Sequence, residues 1–130
     1  MDIRRRDHRN RRPLGFHAES VAAEMLEAQG CAVLDRNPNF RVGELDLVLL
    51  DQGTIVFCEV RYRRIGRYGC GATSVTRRKR RRIALAARAW LARRPWLAQW
   101  PCRFDVASVW DDGACLMVDV WRDAFTLDDC

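Results

Sequence analysis

The stretch from Gly43 to Arg61 constrains the fold of this chain more than any other segment. Two short, nearly continuous apolar runs, Leu45 to Leu50 and Thr54 to Val60, flank the tripeptide Asp51-Gln52-Gly53. Both runs are rich in β-forming residues, and the tripeptide has the composition of a tight turn. The pattern predicts a hairpin of two buried strands.

Each predicted strand carries one acidic residue inside its apolar pattern. If Gln52-Gly53 forms a two-residue loop, Asp46 lies opposite Glu59, and Glu44 lies opposite Arg61. Because side chains alternate along a strand, the carboxylates of Asp46 and Glu59 then share a face, with roughly 5 Å between their Cβ atoms. Two such charges repel unless a cation lies between them. A divalent cation bound by both carboxylates, with Arg61 beside Glu59, would reverse the repulsion.

Two other interpretations of the same residues stay open. Asp46 and Glu59 could lie on a solvated face or pair with some of the many arginines of the chain. A three-residue loop through Gly53 would instead set Asp46 against Cys58. The spacing alone does not decide among the three.

Length and composition predict one soluble, cytoplasmic domain. The 130 residues are 48% hydrophobic, enough for a real core. No apolar run approaches the ~18 residues that cross a bilayer, and the N-terminus lacks the apolar segment of a signal peptide. The six cysteines form no C-x-x-C pair and have no neighbouring histidine at zinc spacing, so free thiols are expected.

The net charge of +6 is concentrated in two basic clusters. One is an N-terminal arm, residues 1–13, and the other is the run 77–82. Such clusters suit a polyanionic partner. Only one of the 23 basic residues is a lysine, which fits a coding bias toward arginine. Such a bias explains the choice of arginine but not the clustering.

The second cluster occupies the first turns of a predicted helix. Thr73, Ser74 and Thr76 offer N-cap side chains, and apolar residues recur at helical spacing up to Pro95. Cations at a helix N-terminus oppose the helix dipole, and bound phosphates would resolve that conflict. Lys79 lies one turn before the apolar stripe, so we expect it to point toward the sheet.

The rest of the chain completes an α/β pattern. A first helix closed by Gly30 carries Glu19 in its first turn, where an acidic residue is ordinary dipole chemistry. A strand at 31–34 follows, and 104–110 and 114–121 form a second hairpin. The predicted order is α-β-β-β-α-β-β in one domain, residues 14–126, with an acidic tail at 127–130. Segment 62–73, rich in glycine and arginine, is predicted to be a mobile loop that touches substrate.

Several motifs together resemble the YraN-like endonuclease-related family of the restriction-endonuclease-like superfamily, which carries the PD-(D/E)xK motif. The resemblance covers residues 14–126 and lies in Glu19, Arg36-Asn37, GELDLV (43–48), VFCEVRYR (56–63), Lys79, RFDV (103–106) and RDAF (122–125). It implies a restriction-endonuclease-like core, a mixed β-sheet flanked by helices. It also implies an acid on the first helix and a metal-binding Asp and Glu on adjacent strands, which here are Glu19, Asp46 and Glu59.

The chain departs from the family pattern at two positions. Arg61 stands where the superfamily has its catalytic lysine, and arginine keeps the charge but cannot act as a base. Asn39 stands where a basic residue is more common, which removes one phosphate contact while Arg41 remains. The first departure raises a question about mechanism and rate.

The sequence therefore predicts a nuclease that acts on DNA and depends on Mg²⁺ or Mn²⁺. Asp46 and Glu59 are expected to hold the metal, Glu19 to assist through a water or a second ion, and Arg61 and Lys79 to position the phosphate. Backbone contacts are expected from Arg41, Arg63, Arg64, Arg77, Arg78, Arg80, Arg81 and Arg82.

Two alternatives stay open at this point. One is a nucleic-acid-binding or recombination-associated module that has the fold but little cleavage activity, which Arg61 favours. The other is an RNA-binding factor, although no aromatic platform is visible in the sequence. A homodimer is left open, and no membrane partner is expected.

Overall fold

Two helices, a short 3₁₀ helix and seven strands make up the described parts of this computed structural model, residues 14–63, 75–111 and 113–126. The elements in chain order are α1 (Leu14–Ala28), β1 (Ala32–Arg36), β2 (Asn39–Phe40), β3 (Gly43–Glu44), β4 (Leu47–Asp51), β5 (Thr54–Arg63), α2 (Arg77–Ala92), the 3₁₀ helix (Pro95–Leu97), β6 (Cys102–Asp111) and β7 (Leu116–Phe125).

Five of the strands form one mixed sheet in the order β1-β4-β5-β6-β7. Strands β5 and β6 run parallel, and the other neighbours run antiparallel. Helix α1 packs with one face of the sheet around Leu47 and Cys58, and α2 packs with the other face around Phe57 and Val106. A mixed sheet flanked by two helices confirms the predicted α/β class.

The central hairpin has the predicted two-residue loop. Asp51 pairs with Thr54 and Leu47 pairs with Cys58. Gln52 and Gly53 both have positive φ, 49° and 86°, as a type I′ turn requires. The three-residue alternative is therefore wrong, and β4 begins at Leu47, two residues later than predicted.

A two-stranded ribbon, β2 and β3, was not predicted from the sequence. Glu44 pairs with Asn39 across this ribbon, so the expectation that it lies opposite Arg61 is wrong. Residues 38–45 leave the sheet and return, and the Leu45 N–H donates to the Pro38 carbonyl at 3.1 Å. Proline disfavours continued pairing in the sheet, which gives the excursion its start.

Glycine lets the ribbon approach α2 closely. A Cβ at Gly43 would lie 2.8 Å from the carbonyl oxygen of Arg82, which is closer than real Cβ atoms come. The ribbon therefore packs directly against the backbone of α2. This contact brings the ribbon tip, with Arg41 and Val42, alongside the basic part of the helix.

Both helices have the ends that their sequences indicate, with one correction. Helix α1 begins at Leu14, so Glu19 lies in its second turn, and the prediction that Glu19 is a first-turn residue is wrong. Gly30, at φ 104°, follows the helix C-terminus. At the start of α2 the Thr76 hydroxyl accepts from the Lys79 N–H at 3.1 Å, which confirms Thr76 as the N-cap.

The second predicted hairpin is present as β6 and β7, with both strands longer than predicted. The prediction of a loop at 62–73 is wrong for its first two residues, because β5 extends through Arg63. The rest of that loop, including Arg64, lies outside the described residues, as do the arm 1–13 and the tail 127–130. Within the described ranges, every helix is too short or too polar to span a bilayer.

Candidate functional site

Asp46 is fixed at the point where the β4–β5 ladder ends. Its backbone carbonyl accepts from the Asn37 N–H at 2.9 Å, which closes the base of the ribbon. Its Oδ2 accepts from the Val60 N–H at 2.8 Å. Extending the β4–β5 register by one step sets Asp46 opposite Glu59, as the sequence predicted. The Asn37 N–H thus fixes the backbone of Asp46, and the Val60 N–H holds its carboxylate beside Glu59.

Glu59 is a buried carboxylate on the α2 side of the sheet. It lies two residues after Phe57, on the same face, and its side chain is only 5% exposed. Lys79 Nζ lies 3.3 Å from Glu59 Oε2, and Arg61 Nη1 lies 4.0 Å from the same oxygen. The structure therefore confirms that Lys79 points toward the sheet.

The surroundings of Glu59 oppose its ionisation. Burial, the negative charge of Asp46 and a hydrogen bond with Asp46 raise the pKa of Glu59 to about 8, and Lys79 opposes the rise only in part. The carboxyl group is thus poised to exchange its proton for another cation near neutral pH.

Glu19 joins the same cluster from α1. Burial raises the pKa of Glu19 to about 7, and a hydrogen bond and charge repulsion from Asp46 add to the rise. Because Glu19 lies in the second turn of α1, an interaction with the helix dipole does not explain its presence. The structure therefore brings together Glu19, Asp46 and Glu59, the three predicted carboxylates, from three separate elements.

Asn37 is a member of the site that the residue patterns did not single out. Its backbone has φ 54°, a conformation that asparagine tolerates better than most residues. Its N–H holds the Asp46 carbonyl, and its side chain hydrogen-bonds Glu19 and lowers the pKa of that group. The only signal for it in the sequence was the Arg36-Asn37 pair within the family resemblance.

The cluster offers hard oxygen donors without forming a closed metal cage. Among residues 14–63, 75–111 and 113–126, no three His, Cys, Asp or Glu side chains are arranged to hold one ion. Mg²⁺ typically binds through one or two carboxylates and keeps several waters. Asp46 and Glu59, with the negative charge of Asp46 raising the pKa of Glu59, fit that requirement.

The arginines at the start of α2 divide into two groups. Four are exposed, namely Arg77, Arg78, Arg81 and Arg82. Arg80 is half-buried, with its guanidinium 5.7 Å from the Phe125 ring centroid, and its buried Nε has no hydrogen-bond partner among the residues that the structure describes. Exposed Arg41 at the ribbon tip adds to the first group, whereas Arg80 serves the packing of α2 on the sheet.

Arg63 is also held against the protein. Its Nε donates to Ser108 Oγ at 2.9 Å, its Nη2 lies 3.4 Å from Asp119 Oδ2, and its guanidinium stacks 5.8 Å from the Trp110 centroid. These contacts fix Arg63 on the same sheet face as Glu59, two positions beyond Arg61. A phosphate contact by Arg63 stays a prediction.

Comparison with known proteins shows that the whole cluster lies within the region that one family model matches. The model of the uncharacterised protein family UPF0102 matches residues 18–109, which include Glu19, Asp46, Glu59 and Lys79. A UPF0102 protein of Xylella fastidiosa (strain 9a5c) is 50% identical over 121 residues, covering 93% of this chain and 98% of the relative. A UPF0102 protein of Xanthomonas campestris pv. campestris (strain B100) is 48% identical over 120 residues, covering 92% and 97%.

Proposed function

This chain belongs to the uncharacterised protein family UPF0102, and we propose that it is a PD-(D/E)xK-type nuclease that uses a divalent metal to hydrolyse phosphodiester bonds in DNA. One observation carries the proposal. Glu19, Asp46 and Glu59 converge where the pairing of β4 with β5 ends, and Lys79 and Arg61 reach the same carboxylate of Glu59. Acids beside cations are what binding a metal and a phosphate together requires.

The three carboxylates would have different roles in holding the metal. Asp46 and Glu59 would bind Mg²⁺ or Mn²⁺ directly, and Glu19 would act through a water or a second ion, with Asn37 orienting its carboxylate. When bound, the metal supplies positive charge that polarises the scissile phosphate. The Val60 N–H and the Asn37 N–H keep Asp46 in place while a proton leaves Glu59.

Lys79 supplies the chemistry that Arg61 lacks. It is the only lysine among 23 basic residues, so this position keeps a lysine although the chain otherwise uses arginine. A lysine amine can lose and regain a proton, whereas an arginine stays charged. We assign Lys79 to orient the attacking water and to stabilise developing charge. Arg61 would hold phosphate oxygens with its planar fork.

Exposed arginines around the site would bind the DNA backbone. Arg77, Arg78, Arg81 and Arg82 line the start of α2, and Arg41 lies at the ribbon tip that packs on this helix. Contacts of this kind hold DNA through its phosphates and carry no sequence information.

A DNA-binding or recombination-associated module without efficient cleavage is the second candidate. Arg61 favours it, because arginine replaces the group that the superfamily uses for catalysis. The two candidates share the binding surface and differ only in the reaction.

Cleavage assays separate the candidates. Purified protein is incubated with end-labelled branched, single-stranded and duplex DNA in Mg²⁺, in Mn²⁺ and in chelator, beside Asp46→Asn prepared in the same way. We expect cleavage by the parent in either metal and none in chelator or by the variant. Binding without cleavage in all three conditions would favour the module, and equal cleavage by Asp46→Asn would reject the assigned site.

A further inference from the structure

A cleft at the far end of α2 combines aromatic rings with guanidinium groups. It has a volume of about 440 Å³, within the range of ligand-binding clefts, and lies between the ribbon and the 3₁₀ helix. Six residues give it its character, namely Asp35, Phe40, Trp90, Arg93, Arg94 and Trp96. No part of the proposed catalytic site uses them.

The back wall of this cleft is a fixed stack. The Arg94 guanidinium lies 4.0 Å from the Trp90 ring centroid. Asp35 Oδ2 accepts from Trp90 Nε1 at 3.0 Å and lies 3.5 Å from Arg94 Nη2, and Arg94 Nη1 donates to the Trp90 carbonyl at 3.1 Å. The Arg94 guanidinium is therefore held in one orientation before any ligand binds.

The rim of the cleft exposes two more flat groups. Trp96 is 70% exposed, the most exposed of the large hydrophobic side chains in the described part of the chain. Arg93 lies 4.8 Å from the Phe40 ring centroid. Because Trp96 lines the same cleft as Phe40 and Arg93, its exposed ring belongs to a group of flat side chains and is not an isolated exposed residue.

The charge of the cleft favours an anionic ligand with flat parts. Arg93 and Arg94 carry two positive charges, and Asp35 offsets one of them. Nucleobases stack on aromatic side chains and on guanidinium planes, and the sugar-phosphate backbone supplies the negative charge. In duplex DNA the bases are stacked inside the helix, so a DNA ligand would offer them to this cleft only where it is single-stranded.

Helix α2 connects the cleft to the carboxylate cluster. Lys79 and the cleft residue Arg93 lie at opposite ends of α2, roughly 20 Å apart at 1.5 Å per residue. The ribbon follows the helix between them, touching Arg82 through Gly43 and Arg93 through Phe40. One strand of DNA could follow this surface from the cluster to the cleft.

We propose that the cleft binds unstacked bases of single-stranded DNA, with Trp96 and the Arg94 guanidinium, which rests on the buried Trp90 ring, as platforms and Arg93 as a phosphate contact. This inference rests on the proposed nuclease function, because the cleft would direct the enzyme to substrates with a single-stranded segment. The binding itself is measurable without any cleavage.

The test uses full-length protein in chelator and a short, fluorescently labelled oligothymidylate. Trp96→Ala should weaken binding about five- to a hundred-fold, the range for losing one base-stacking contact, and Trp96→Phe should weaken it less. Affinity for duplex DNA of the same length should change less than twofold. Trp100→Ala removes a 40% exposed tryptophan that does not line the cleft, and Arg88→Ala matches the charge lost in Arg93→Ala.

Unchanged oligothymidylate affinity in both Trp96→Ala and Arg93→Ala would overturn the inference, as would equal losses on duplex DNA. A larger loss on oligouridylate than on oligothymidylate would overturn the assignment to DNA. The proposed nuclease function is tested separately, because Asp46→Asn should keep its oligothymidylate affinity while losing cleavage.

Discussion

At the scale of single residues, the proposed metal site contains carboxyl groups whose ionisation the fold opposes. The pKa values of Glu19 and Glu59, about 7 and about 8, lie above the ordinary value of 4.5. The folded, metal-free protein therefore holds protons that the unfolded chain releases. The free energy of unfolding should fall as pH rises from about 4.5 to about 8.

Glu59→Gln should flatten that fall in stability, because glutamine does not ionise. We expect the metal-free variant to be at least as stable as the parent above pH 8. Urea denaturation in chelator across this pH range measures it, with Glu27→Gln at an exposed position of α1 as the control. A steeper fall in Glu59→Gln than in the parent would contradict the assigned pKa.

Lys79 and Arg61 should respond differently to exchange of their side chains. Lys79→Arg keeps the charge but loses the exchangeable proton, so cleavage should drop about 100-fold or more while DNA affinity stays. Arg61→Lys should keep or increase cleavage, and Arg61→Ala should lose it. Single-turnover rates and binding titrations separate the two effects.

Two outcomes would revise these roles. An inactive Arg61→Lys, in a parent that cuts DNA, would mean that Arg61 makes a two-pronged phosphate contact that lysine cannot make. Full activity in Lys79→Arg would show that Lys79 contributes only charge.

At the scale of elements, α2 departs most clearly from ordinary helix design. Its first turn holds no acidic residue, and Arg77 and Arg78 directly follow the Thr76 cap. If these arginines bind phosphates, the logarithm of DNA affinity should fall with the logarithm of salt concentration, by about 0.9 per contact on a duplex.

Arg77→Glu combined with Arg78→Glu should lower that salt slope and weaken all DNA sequences alike. Thermal stability should hold or increase, because acidic residues suit a helix N-terminus. The reversal Arg88→Glu with Arg122→Glu matches the charge change elsewhere on the surface. Equal slopes for the two double variants would show that the start of α2 is a solvated face.

The elements also show what the sequence alone could establish. The hairpin was predictable because apolar runs flank Gln52-Gly53, but its register was not, since a two-residue and a three-residue loop both fitted the sequence and only the structure selects the former. The ribbon was not, since strands of two residues leave no periodic pattern. Asn37 and the cleft at Trp96 escaped prediction because they depend on how the ribbon, β1 and α2 meet.

At the scale of the whole molecule, a second charged network stabilises the end of β4 away from Asp46. Arg103 Nη2 donates to Asp51 Oδ2 at 2.8 Å, and its Nε donates to Asp105 Oδ1 at 3.0 Å. Asp105 is 3% exposed and also accepts from the Asp123 N–H at 3.0 Å. These bonds join β4, β6 and β7. They give the segments RFDV (103–106) and RDAF (122–125) a structural role that explains their presence without catalysis.

Arg103→Met should destabilise the protein by about 3–5 kcal/mol, because it leaves the buried Asp105 carboxylate without its cation. Urea denaturation at neutral pH measures the loss, and Arg122→Met at an exposed position of β7 should change stability by less than about 0.5 kcal/mol. Similar losses in the two variants would remove the structural role assigned to Arg103.

Titration of the chelator-treated protein with Mg²⁺ and Mn²⁺, followed by melting temperature, shows whether Asp46 and Glu59 bind a metal. If Asp46 and Glu59 form a metal site, the melting temperature should rise with metal concentration by mass action, and proton release should accompany binding at neutral pH, below the Glu59 pKa of about 8. Asp46→Asn and Glu59→Gln should show neither effect. A parent protein whose melting temperature is the same with and without metal would contradict the account.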